Sequence, residues 1–132
     1  MTDTTKSILI VEDERILGLT LKMDLASHGY AVTGIASSGL DAIKSVTEQR
    51  PDEILMDIRI NGDLSGIETA FEISKTTMIP VIYLSGETDP ETIESAKSNN
   101  VCRGMLSKPV NISMLKVMLD EIFDDARTII AS

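Results

Sequence analysis

Several functions are excluded by what this sequence has little of. Tryptophan is absent and aromatic residues make up only 3% of the chain. Stacking on nucleic-acid bases or sandwiching a cofactor ring needs such residues. Basic residues number 12 against 21 acidic ones, giving a net charge of −9. Direct nucleic-acid binding requires a basic footprint, so none is expected. The acidity says little else, since it mainly aids solubility. The single cysteine, Cys102, cannot form an internal disulfide, which suits a reducing compartment. No apolar run approaches the ~18 residues of a membrane span. The first seven residues, Met1 to Ser7, lack the basic and apolar regions of a signal peptide. The expectation is a cytoplasmic chain with no membrane association.

What is present is enough for one core. The 132 residues are 42% hydrophobic and fit a single domain. The organising stretch is Asp52-Glu53-Ile54-Leu55-Met56-Asp57. It is a short apolar strand ending on a carboxylate, punctuated by Pro51 before it and Asn61-Gly62-Asp63 after it. A strand apolar on both faces suits the centre of a parallel sheet. Asp57 then lies at the carboxyl end, where open parallel sheets place their sites.

The rest of the chain repeats this plan. Lys6 to Val11 is a first strand, followed at once by Glu12-Asp13-Glu14. Arg15 to His28 has helical spacing, with Leu17, Leu21 and Leu25 on one stripe, and Gly29 stops it. Tyr30 to Ala36 is a second strand and Leu40 to Arg50 a second helix, after a possible cap in Ser37-Ser38-Gly39. Gly66 to Thr76 is a third helix, with Ile67, Ala70 and Ile73 inward. Pro80 to Leu84 is a fourth strand, followed by Ser85-Gly86. Thr88 is expected to cap a fourth helix that holds Asp89-Pro90-Glu91 in its first turn and runs to about Asn99. Val101 to Leu106 is a fifth strand, ending at Ser107-Lys108-Pro109. Asn111 to about Ala126 is the last helix, with Leu115, Met118, Leu119 and Ile122 on one face, and residues 127–132 are expected to fray. Strands alternating with helices imply an α/β, doubly wound, five-stranded parallel sheet in the order 2-1-3-4-5.

In that order the ends of strands 1, 3, 4 and 5 converge on one rim. Glu12, Asp13, Asp57, Ser85 and Lys108 would share a pocket. Clustered carboxylates repel one another, and a divalent cation is the natural remedy. Hard oxygen ligands suit Mg²⁺ better than zinc. Such a site can accept a phosphoryl group, with Asp57 as nucleophile, Lys108 neutralising charge and Ser85 donating a hydrogen bond. Each residue alone has a blander reading. An acidic pair after a strand is often a helix start favoured by the dipole, Ser85-Gly86 a plain turn, and Lys108 a solvated lysine. Their conjunction carries the inference.

The segments Ile8 to Asp13, Ile54 to Asp57, Pro80 to Gly86 and Ser107-Lys108-Pro109 resemble the response-regulator receiver domain of two-component signalling, the resemblance running from about Lys6 to Asp124. It implies a flavodoxin-like fold and a phosphorelay role. Asp57 would take a phosphoryl group from a partner histidine kinase or phosphotransfer protein. Asp13, Asp57 and the main-chain carbonyl of Arg59 would bind Mg²⁺, with Glu12 acting through metal-bound water. Ser85 and Lys108 would engage the phosphoryl group, and the Lys108-Pro109 bond is commonly cis. The expected output is a conformational change on the helix 4, strand 5, helix 5 face toward an unknown downstream protein or a second copy of the chain. The implied domain is 1–132, with its core at about 6–126 and no effector domain. It would act alone or be excised from a longer regulator or hybrid kinase. It would be no enzyme beyond its own phosphorylation and dephosphorylation.

Two departures stand out. Met105 occupies the place of the family's usual strand-5 aromatic, which puts a ring-flip switch in question, although methionine can repack. Ser65-Gly66 replaces the family's Asp-Gly. The lone His28 reads as structural, complementing the end of its helix. The alternative is an aspartate-nucleophile phosphatase of haloacid-dehalogenase type. It would want a general acid two residues after Asp57, where Arg59 stands, and a cap domain. A flavodoxin-like electron carrier would want a hydroxyl-rich loop in place of Glu12-Asp13-Glu14. A degenerate receiver would lack some of the site residues.

Overall fold

The computed structural model describes residues 5–86 and 89–131, with side chains as far as position 124. Its elements are β1 (Ser7–Val11), α1 (Arg15–Ser27), β2 (Ala31–Ala36), α2 (Gly39–Glu48), β3 (Glu53–Asp57), α3 (Gly66–Ser74), β4 (Val81–Ser85), α4 (Pro90–Lys97), β5 (Cys102–Ser107) and α5 (Ile112–Ala131). All strand pairs are parallel, in the order β2-β1-β3-β4-β5. This is the doubly wound architecture that the alternation of strands and helices implies.

Alternate residues of each strand supply two separate cores, because successive side chains of a strand point to opposite faces. Ile8, Ile10, Leu55, Ile82 and Leu84 pack with Leu21 and Leu25 of α1 and Leu115 and Leu119 of α5. Leu9, Val11, Ile54, Met56 and Tyr83 pack on the other face with residues of α2, α3 and α4. Covered on both sides, β3 and β4 are buried along their whole length.

Local chemistry sets the helix starts. The Ser38 hydroxyl accepts from the Asp41 N–H and caps α2. Ser65 and Glu68 form a capping box at α3. The fourth helix is capped by Asp89, one residue later than expected, because its carboxylate accepts from the Thr92 N–H with Pro90 at the first helical position. Thr88 lies outside the described residues. Helices α2 and α3 each end two residues short of the expected Arg50 and Thr76. The α5 backbone runs past the expected Ala126 to Ala131, and Ser132 lies outside the described residues. Among the described residues, no helix is long and apolar enough to cross a membrane.

Candidate functional site

Strand register delivers the site residues to one rim. Val11 pairs with Met56, Asp57 with Leu84, and Ser85 with Ser107. Glu12 and Asp13 therefore follow β1 beside Asp57, and Lys108 follows β5 beside Ser85. The Lys108 Nζ lies 2.8 Å from Asp57 Oδ2 and 3.2 Å from Glu12 Oε2. Carboxylate oxygens of Glu12, Asp13 and Asp57 lie within 4.8 Å of one another. These hard, negatively charged oxygens fit a divalent cation. A pocket of about 310 Å³ opens above them, lined by Asp13, Asp57, Arg59, Ser85, Gly86 and Lys108 among others. Asp57 and Ser85 are 4% and 5% exposed. The Lys108-Pro109 bond is cis, as the resemblance implied, and the Lys108 N–H donates to the Ser85 carbonyl at 2.8 Å.

Burial and charge polarise this cluster. Glu12, only 1% exposed, lies behind the pocket. Desolvation, then its hydrogen bond and repulsion with Asp57, pushes its carboxyl up to about 7, against the opposing pull of the Glu14 amide and Lys108. Desolvation works against the Lys108 charge, but Asp57 and Glu12 outweigh it and hold its pKa above the ordinary lysine value. The ammonium is the counterion that lets the acids coexist.

Backbone amides complete the rim. The Arg59 N–H donates to Asp57 Oδ1 at 3.1 Å, and the Asn61 N–H to Asp13 Oδ2 at 3.1 Å. Asn61 also forms an isolated bridge with Ser38, which ties the β3–α3 loop to the start of α2. Gly62, at φ +110°, turns that loop in a conformation suited to glycine. Gly66 presses α3 against the nucleophile's own strand. A Cβ there would sit 2.0 Å from the Asp57 carbonyl oxygen.

All six expected site residues, Glu12, Asp13, Asp57, Arg59, Ser85 and Lys108, therefore meet at one rim. The readings of single residues missed others. The Ser65-Gly66 pair signalled a helix start but not the contact with Asp57. Nothing in the sequence set Glu53 apart from a surface acid, yet its side chain is wholly buried at the opposite end of β3. Cys102 is half-buried against the α3–α4 core, and His28 caps α1 with Nδ1 2.8 Å from the Asp24 carbonyl oxygen.

A flavodoxin-like parallel sheet with acids after β1 and β3 and a lysine after β5 is the receiver fold. Comparison with known proteins agrees. The family profile of the response regulator receiver domain matches residues 8–120. The transcriptional regulatory protein PdtaR of Mycobacterium tuberculosis is 29% identical over 110 residues, which cover 83% of this chain and 53% of that protein. AfsQ1 of Streptomyces coelicolor, also a transcriptional regulatory protein, is 35% identical over 83 residues, 63% of this chain and 36% of its own length. The chain thus spans about half or less of these relatives. Among solved structures, the signal receiver domain of a modulated diguanylate cyclase from Desulfovibrio desulfuricans superposes with a TM-score of 0.86 at 34% identity, covering 94% of this chain and 98% of that one. The N-terminal domain of a response regulator/sensory box/GGDEF protein from Carboxydothermus hydrogenoformans does so with a TM-score of 0.83 at 30% identity, covering 95% and 99%. The chain belongs to the response regulator receiver family of two-component signalling. The haloacid-dehalogenase reading finds no support in these matches.

Proposed function

We propose that this receiver domain stores a phosphoryl group on Asp57, delivered by a sensor histidine kinase or a phosphotransfer protein. The observation that carries the reading is the Lys108 ammonium 2.8 Å from the Asp57 carboxylate, beside a cluster of three acids. An Asp57 oxygen attacks phosphorus, the P–O bond forms as the donor's P–N bond breaks, and the departing imidazole takes up a proton. Lys108 holds the Asp57 carboxylate in place and neutralises charge on the transferring group. Ser85, at the end of β4, donates its hydroxyl to the phosphoryl oxygens. Glu12, Asp13, Asp57 and the main-chain carbonyl of Arg59 would hold Mg²⁺, which supplies further charge neutralisation when bound. Water later cleaves the acyl phosphate, so the chemistry is confined to the protein's own phosphorylation and dephosphorylation.

Occupancy of the rim would bias Ser85 and α4 toward a second arrangement. The α4–β5–α5 face then gains or loses a downstream protein or a second copy of the chain. Met114 and Val117 expose apolar side chains on α5 and suit such a contact. The reading treats the chain as one cytoplasmic receiver unit, acting alone or within a longer regulator.

Incubation with Mg²⁺ and phosphoramidate, a small P–N phosphoryl donor, tests it. The intact mass should rise by one phosphoryl group and return to its starting value with time. Chelating the cation with EDTA should stop the gain. An unchanged mass with Mg²⁺ present, or an equal gain without it, would overturn the reading.

A further inference from the structure

In-line attack by Asp57 sends the donor's leaving group outward, along the line from the carboxylate through phosphorus, to the mouth of the pocket. Groups at the mouth therefore meet the leaving group, while the floor meets the phosphoryl oxygens. Asp57 and Ser85 form a buried floor. Glu14, Arg59 and Gly86 line the same pocket and are exposed, so the mouth carries one charge of each sign. A Cβ on Gly86 would meet nothing within 4 Å among the described residues, which leaves room there for a ring.

Glu14 has no part in the roles assigned above. Its N–H donates to Glu12 Oε1 at 3.1 Å, which fixes its backbone beside the acids. It stands at the N-cap of α1, yet its side chain makes no cap hydrogen bond, and glutamate is not among the residues that cap helices well. An acid at a helix start is favoured by the dipole. That effect concerns stability alone and is blind to the donor.

We infer that Glu14 is a specificity-determining residue, whose carboxylate at the mouth favours phosphoryl donors with a nitrogen leaving group over donors that release an anion. An imidazole departs with the electron pair of the P–N bond and gains a proton, so it turns an N–H and no negative charge toward the carboxylate. An acyl phosphate breaks its P–O bond and releases a carboxylate, which Glu14 repels. The inference rests on the phosphoacceptor reading above and narrows its donor class.

Uptake rates from two small donors test it on the full chain. Acetyl phosphate is nearly a dianion and releases acetate. Phosphoramidate carries an ammonium group, is close to a monoanion and releases ammonia. Intact mass gives the rates for wild type, Glu14→Gln and Glu14→Lys at saturating Mg²⁺ and low salt. The rate from acetyl phosphate relative to phosphoramidate should rise about two- to fivefold in Glu14→Gln and further in Glu14→Lys, as expected for removing and then reversing a charge at the mouth. In ~1 M salt, where the screening length shrinks to about 3 Å, the three ratios should converge. The ratio cancels any loss of fold or of Mg²⁺ affinity, which acts on both donors alike. A ratio unchanged by either substitution at low salt, or a shift that survives high salt, would overturn the inference and leave the phosphoacceptor reading standing. A wild type that takes up a phosphoryl group from neither donor would overturn both.

Discussion

At the scale of single residues, two buried carboxylates show how position decides chemistry. Glu12 and Glu53 both flank the central sheet, one at each end. Glu12 has Lys108 beside it and lies buried behind the acidic pocket. Glu53 is fully buried, and neither carboxyl oxygen has a hydrogen-bond partner among the described residues. Desolvation raises its pKa well above the ordinary value of 4.5, and the nearby Ile82 and Ile54 amides, which fall short of hydrogen-bond geometry, and the Arg103 charge offset only part of that. The folded protein thus keeps a proton that the unfolded chain releases above about pH 4.5. Stability falls as pH rises from there until the folded-state pKa is reached. Replacing Glu53 by glutamine removes this penalty. Urea unfolding should find the variant equal to wild type near pH 4.5. Above that its stability should decline less steeply, by about 1.4 kcal/mol per pH unit. Parallel pH profiles would show that Glu53 ionises freely in the fold.

At the scale of elements, the β3–α3 junction is the tightest part of the site. Gly66 places α3 against the Asp57 carbonyl, where a Cβ would meet backbone at 2.0 Å. Backbone cannot swing aside, so Gly66→Ala should cost about 1–3 kcal/mol and slow phosphoryl uptake by displacing Asp57. Gly104 on β5 makes a useful contrast. A Cβ there meets the Met118 methyl at 2.2 Å, the far end of a flexible side chain. Gly104→Ala should cost less than about 1 kcal/mol. Thermal unfolding of both variants, with phosphoryl uptake measured alongside, checks the ranking. Equal losses would show that the α3 contact does not position the nucleophile.

Most elements were legible because apolar runs, glycines and prolines punctuate them. β1 and β2 end just before a polar residue, Glu12 and Ser37, while β3, β4 and β5 end on one, Asp57, Ser85 and Ser107. Most boundaries shifted by a residue or two where alternatives lay close in energy, and α5 extends five residues past its expected end. Thr88 and Asp89 are both competent caps, and side-chain geometry toward Thr92 favours Asp89. Glu53 was not legible, because an acid next to Asp52 reads as the solvated start of a strand. The same holds for the Tyr30 hydroxyl bonded to Asp120 across 90 residues of sequence. Such a pairing depends on how α5 lies over the sheet, which local pattern does not encode.

At the scale of the whole molecule, the fold gathers like charges that would otherwise destabilise it. The chain carries a net charge of −9, and three of its acids meet at one rim. A cation bound there stabilises the folded state by mass action. Mg²⁺ at about a hundred times its dissociation constant should add about 2.7 kcal/mol to unfolding stability. Asp13→Asn should abolish most of that gain. Urea midpoints with and without Mg²⁺ measure it, and no shift in wild type would contradict the metal assignment. The candidate site was legible at this scale because topology alone brings β1, β3, β4 and β5 to one rim.

The central claim is that one aspartate, framed by two further acids and a lysine, receives a phosphoryl group. Reductive trapping addresses it most directly. Acyl phosphates are reduced by borohydride to the alcohol, so a phosphorylated aspartate becomes homoserine. After treatment with Mg²⁺ and phosphoramidate, then borohydride, peptide mass spectrometry should find homoserine at position 57 and at no other acid. Homoserine at Asp13, the longer alcohol hydroxynorvaline at Glu12, or an unmodified Asp57 peptide would contradict the account.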